Sequence, residues 1–85
     1  MSNNEIWTQQ VRKRSIALLY GIIVKATKQG KTVSKKKIRA VFSIDYGVKG
    51  LTFDTYLSEL LDADRITIID DEIMAKEVDN GSTNP

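Results

Sequence analysis

Two runs of this chain have the residue types and spacing for chemistry. Lys35-Lys36-Lys37 follow Ser34 directly, and Asp62, Asp64, Asp70, Asp71 and Glu72 crowd into a stretch ending at position 72. Consecutive lysines suit phosphate groups. Clustered carboxylates suit hard divalent cations, which favour oxygen ligands. Asp70-Asp71-Glu72 lacks the spaced ligands and the glycine of a calcium loop, so it reads as a solvated turn. The chain has no His and no Cys. The commonest general base, the commonest metal ligand and any thiolate are thereby removed. There is no glycine-rich phosphate loop and no activated nucleophile. The expectation is a non-enzymatic binding module with no catalytic residue, no metal and no cofactor.

Charge says what such a module would bind. Residues 1–50 carry eleven Lys/Arg against Glu5 and Asp45, a net of +9. Residues 51–85 carry Arg65 and Lys76 against nine acids, a net of −7. The overall +2 hides this division. A basic half seeks polyanions, and an acidic half seeks basic proteins.

The elements follow from periodicity. Residues 1–4 are polar and read as a flexible start, with Asn3 or Asn4 able to cap a helix. From residue 5 to 29, Val11, Ser15, Leu18, Leu19, Ile22, Ile23 and Ala26 keep helical spacing. Ile16, Tyr20 and Val24 widen that apolar surface, and Gly30 supplies a stop. Residues 31–33 are short and extended. Ser34 is an N-cap for a second helix over about 35–43, with Ile38, Val41 and Phe42 facing in. Three lysines in its first turn oppose the helix dipole, which hints at a use other than stability.

Residues 45–50 read as a turn from their two glycines. Thr52 then caps a third helix over about 53–63, with Leu51 and Tyr56 as a hydrophobic staple. Phe53, Tyr56, Leu57, Leu60 and Leu61 form its apolar stripe. Asp54, Thr55, Ser58, Glu59 and Asp62 are left to solvent. Residues 65–69 and 72–78 form a hairpin around Asp70-Asp71, with Ile66 and Ile68 opposite Ile73 and Ala75. Residues 79–85 are polar and read as a disordered tail. The fold class expected is α+β, mostly α: one three-helix domain over residues 5–78 with a C-terminal β-hairpin. The longest apolar stretch, residues 16–24, is too short for a membrane span. It also lacks the cleavage site of a signal peptide. The expected location is the cytoplasm.

Helix, short strand, helix, tight turn, helix, hairpin resembles the winged-helix family. The resemblance rests on the run from Thr52 through Leu60-Leu61 to Ile66-Thr67-Ile68 and the hairpin after it. In that family, the third helix ends in a Leu-x-x-Leu run leading into the wing. It enters the major groove in the DNA-binding members, reading bases with Arg, Lys, Asn or Gln. Here residues 52–63 contain none of these four residue types. The wing tip is Asp70-Asp71-Glu72. The style and size also look similar to small DNA-associated proteins of archaea and their viruses. Small accessory subunits of family-B DNA polymerases are among these.

The resemblance therefore implies a small accessory subunit of a DNA-processing complex. Asp54, Glu59, Asp62, Asp70, Asp71 and Glu72 would dock on a basic protein partner. Arg12, Lys13, Arg14, Lys31, Lys35, Lys36, Lys37, Arg39 and Lys49 would face DNA. The alternative is a transcriptional regulator that binds DNA through the basic second helix and phosphate contacts. Trp7 and Tyr46 are aromatic residues able to stack on bases. The apolar first helix is also a common dimer element, so a homodimer stays open.

Overall fold

The computed structural model describes residues 2–76, with side chains from Gln10 onward. The expected tail, Val78 and the Trp7 side chain lie outside the described residues. Three helices and a three-stranded antiparallel sheet make up the fold, in the order α1 (Ser2–Lys28), β1 (Val33–Ser34), α2 (Lys35–Tyr46), α3 (Gly50–Asp62), β2 (Ile66–Ile69), β3 (Glu72–Ala75). β3 lies in the centre of the sheet, between β1 and β2. Ile66 pairs with Ala75 and Ile68 with Ile73, the register the alternation predicts. Val33 pairs with Ile73 on the other edge, which joins the short extended segment to the hairpin.

Helix ends explain the connections. Gly30 sits at φ 74°. Its N–H donates to the Thr27 carbonyl at 2.9 Å, and the Lys31 N–H donates to Ala26 at 2.8 Å. That pair of bonds satisfies the last carbonyls of α1 in a Schellman motif. The end of α3 repeats the motif with Asp64, at φ 61°, in the glycine position. The Asp64 N–H reaches the Leu61 carbonyl and the Arg65 N–H reaches Leu60, both at 2.9 Å.

The core is one cluster fed by every helix. Leu19 and Ile23 of α1, Ile38 and Phe42 of α2, and Phe53, Tyr56, Leu57 and Leu60 of α3 close over Ile66, Ile73 and Ala75. The Phe42 and Phe53 rings meet at 5.3 Å between centroids, tilted by 58°. Tilted rings at this separation gain about 0.5–1.5 kcal/mol beyond their burial. Thr27 ties α1 to the sheet. Its hydroxyl donates to the Ile23 carbonyl and accepts from the Ala75 N–H, each at 2.9 Å. That N–H lies beyond the two-residue β1, so no strand neighbour satisfies it.

Several expected boundaries and faces shift. α1 begins at Ser2, so Asn3 and Asn4 lie within the helix rather than before it. α2 runs a turn further than residue 43, because the αL stop is Gly47 at φ 67°. The Tyr46 ring, 5.1 Å from Phe42, packs that last turn. α3 starts at Gly50 with Lys49 as its N-cap, so Thr52 is inside the first turn and caps nothing. Leu51 is 80% exposed, so the staple with buried Tyr56 does not form. A Cβ at Gly50 would collide with the Arg39 guanidinium. The bare glycine thus lets Arg39 cross the start of α3. Val11, Leu18, Val41 and Leu61 are exposed rather than buried. Each lies at the margin of its stripe, and the neighbouring elements cover only the centre. β2 starts at Ile66 and β3 ends at Ala75, so both strands are shorter than expected.

Candidate nucleic-acid interface

The three lysines that open α2 sit on a closed helix end. Ser34 has extended backbone, and its Oγ accepts from the Lys37 N–H at 3.3 Å. The Lys35 N–H donates to the Asp71 carbonyl at 2.7 Å. The Lys36 N–H donates to the Asp71 carboxylate at 3.2 Å, and the Ser34 hydroxyl donates to the same carboxylate at 2.8 Å. The acid missing from the first turn of α2 is thus delivered by the hairpin. Asp70 and Asp71 both have positive φ, 51° and 72°, as a two-residue hairpin turn of type I′ requires. Glu72 accepts from the Thr32 hydroxyl. The start of α2 is therefore bonded to the turn that carries Asp71 and Glu72, which sets two acids near the three lysines although none of the three is in an ion pair.

Two acids of α3 and one just after it are also paired within the chain. Asp54 takes a two-pronged bond from Arg39, Nε to Oδ1 at 3.0 Å and Nη2 to Oδ2 at 3.2 Å. Glu59 pairs with Arg12 of α1, and Asp64 pairs with Lys76. These pairs are part-exposed, so each contributes at most about 1 kcal/mol. Arg39 and Arg12, both expected at a DNA surface, meet two of the acids expected at a protein surface. Asp62 and Asp70 stay exposed, without an ion pair among the described residues. No three carboxylates among the described residues are placed to hold a metal ion.

One line of cations without ion pairs runs along α1. Arg14, Ala17, Gly21, Lys25 and Lys28 recur at three- and four-residue steps, which sets them along one side of the helix. All five are exposed. Nothing lies within 4 Å of where a Cβ on Gly21 would stand. The result is a basic ridge about 21 Å long with small residues between its cations. Arg14, Lys25 and Lys28 make no ion pair among the described residues. Lys25 and Lys28 were not among the residues expected at the interface. Their stepping from Arg14 was the available signal. Both also suit the negative end of the α1 dipole, a purely structural use.

Lys13 lies next to this ridge, at a hollow that also reaches Ala17. The hollow is shallow and apolar, about 230 Å³, and Ile16, Tyr20, Leu60 and Arg65 complete its lining. The Arg65 guanidinium carbon lies 6.0 Å from the centre of the Tyr20 ring. Lys49 stands at the start of α3, facing a groove against α1. Tyr46 is half-exposed and lines the same groove. The nine expected cations are thus divided among at least four places and form no single patch.

No protein-family model, curated protein or solved structure matches this chain. Among the described residues, no helix is long and apolar enough to cross a membrane.

Proposed function

We propose that this chain is a non-enzymatic winged-helix-like module of nucleic-acid metabolism that lies along a phosphate backbone in a sequence-tolerant way. One observation carries the reading: Arg14, Lys25 and Lys28 form an exposed ridge with no ion pair among the described residues, while most acids of the other half are engaged within the chain. Phosphate contacts position a protein and give affinity without reading sequence. The element order, the pairing of β1 with β3 and the three-residue turn between α2 and α3 support the winged-helix comparison. The outer side of α3 presents Leu51, Thr55, Ser58 and Asp62, with no cation to read a base.

The reading as an accessory subunit of a DNA-processing complex draws on a different feature. Ile44 is 81% exposed and Leu51 80%, on the helices flanking the Gly47–Lys49 turn. They are better placed to meet a protein partner than Asp54, Glu59 or Asp71, which already have partners within the chain.

Fluorescence anisotropy with random-sequence duplex and single-stranded DNA across a salt series tests the primary reading. Binding tighter than about 10 μM near physiological salt is expected, with a slope of several released counterions. The triple variant Arg14→Gln/Lys25→Gln/Lys28→Gln should lower the duplex slope by about 2.7. Undetectable binding by the unaltered chain, or an unchanged slope in the variant, would refute it.

A further inference from the structure

The groove between α1 and the start of α3 has a chemistry that the ridge does not use. Its volume is about 390 Å³, within the range of small-ligand sites of about 300–1,000 Å³. Ser15, Tyr46, Lys49, Thr52 and Tyr56 line it, with Val11 and Val48 as apolar walls. Four of these side chains carry hydroxyls, one is a cation, and none is a carboxylate.

Two independent observations point to an anion. The first is the uncapped end of α3, crossed at Gly50 by the Arg39 guanidinium. Its N-cap, Lys49, gives no side-chain hydrogen bond, and its first turn holds no acid. The first N–H to find a backbone partner is that of Phe53, on the Lys49 carbonyl at 2.8 Å. The N–H groups of Gly50, Leu51 and Thr52 have no acceptor among the described residues. Such an end presents both donors and positive potential to an anion.

The second observation is Tyr56. This residue is only 6% exposed and lines the groove, yet its hydroxyl has no hydrogen-bond partner among the described residues. A ligand in the groove would offer that hydroxyl a partner.

We infer that this groove binds a small phosphate monoester, up to the size of a mononucleotide. The phosphate sits at the uncapped end of α3, against the Lys49 ammonium and the hydroxyls of Thr52 and Tyr56. The organic part rests on Val11, Val48 and the half-exposed Tyr46 ring. The phosphate has two conceivable sources, a free small molecule or a nucleic-acid strand. The dianionic monoester is the better match, because a single helix end, one ammonium and several hydroxyls are gathered in one groove rather than spread along a line.

Amide NMR on the full-length ¹⁵N-labelled chain, at constant ionic strength, provides the test. Inorganic phosphate, adenosine monophosphate and a duplex DNA without terminal phosphates are titrated separately. Adenosine monophosphate should shift the Gly50, Leu51 and Thr52 amides and that of Ser15 saturably, with a Kd of about 1 mM or tighter. Inorganic phosphate should shift the helix-end amides more weakly. Lys49→Ala should weaken binding about tenfold, the loss of one charge-assisted contact. Tyr56→Phe keeps the buried ring and should weaken binding severalfold with the fold retained. Shifts that never saturate, or binding indifferent to both variants, would overturn the proposal. If the duplex moves the same amides and displaces adenosine monophosphate, the phosphate belongs to nucleic acid and the small-ligand assignment fails. The Arg14→Gln/Lys25→Gln/Lys28→Gln chain should bind adenosine monophosphate normally, so failure here is separable from failure of the DNA-binding reading.

Discussion

The two halves of this molecule treat their charges differently. In the acidic half, five of the seven carboxylates between residues 51 and 76 have a partner within the chain: Asp54, Glu59, Asp64, Asp71 and Glu72. In the basic half, only Arg12 and Arg39 of the eleven cations are in ion pairs among the described residues. A separation of charge along the sequence has therefore not become a separation in space. The hairpin folds its acids back onto the start of α2, and α3 is clasped by arginines from α1 and α2. Most of what remains unpaired among the described residues is cationic, with Asp62 and Asp70 among the exceptions, and one line of it follows the outer side of α1.

The two halves are joined most strongly through the core. Phe42 belongs to the basic half and Phe53 to the acidic half, and both are fully buried against each other. Phe53→Ala should cost about 3–5 kcal/mol. Urea unfolding followed by both circular dichroism and Tyr/Trp fluorescence should then show one transition, at a much lower midpoint. Two separated transitions would mean that the halves fold independently and that the internal pairing is incidental.

Binding sharpens the contrast between the two lysine-bearing surfaces. Replacing Arg14, Lys25 and Lys28 by Gln should weaken duplex binding by about tenfold or more at physiological salt. The same change at Lys35, Lys36 and Lys37 should have a smaller effect, because Asp71 and Glu72 lie beside them. An anisotropy titration of both variants in parallel would show the order. The reverse order would return the interface to α2.

The hairpin clasp is the next largest effect. Asp71→Ala removes the acceptor for the Lys36 N–H and the Ser34 hydroxyl, and should cost about 1–2 kcal/mol by urea denaturation. Asp71→Asn keeps an acceptor and should cost less. Equal losses would mean that charge opposite the lysines, not hydrogen bonding, holds the turn. Smaller still is Asp64→Gly, which places glycine at the φ 61° position. It should stabilise by about 0.5 kcal/mol net, because the αL relief is partly offset by the lost Lys76 pair and the freer unfolded chain. The Arg39–Asp54 coupling, read from a double-mutant cycle, should be about 0.2–1 kcal/mol. A coupling near zero would show that crossing Gly50, rather than charge, fixes Arg39.

Much of the architecture was legible because it rests on local rules. Ser34 as a cap, Gly30 as a stop and the Ile66/Ile68 alternation follow from hydrogen-bonding capacity, positive φ and the two-residue period of a strand. The start of α3 was not legible. Thr52 is the better capping residue type, and what decides the matter is the space Arg39 takes above Gly50, a tertiary contact. Val11, Leu18, Val41 and Leu61 were misplaced for a related reason: helical spacing identifies an apolar stripe but not how much of its width the neighbours cover. The site was legible in sign and not in place. The sequence run of three lysines drew attention to α2, whereas Lys25 and Lys28 align with Arg14 only when α1 is viewed as a helix. The partners of Asp54, Glu59 and Asp71 lie 15 to 47 positions away in sequence, beyond the reach of any local pattern.

The most direct test of the account is to see which side of the molecule a duplex touches. Amide NMR of the labelled chain with a random-sequence duplex of about 20 base pairs would map it. The largest changes are expected along α1, at Arg14, Ala17, Gly21, Lys25 and Lys28, and they should fade as salt is raised. Changes concentrated on Thr55, Ser58 and Asp62 of α3, or no changes at low salt, would contradict it.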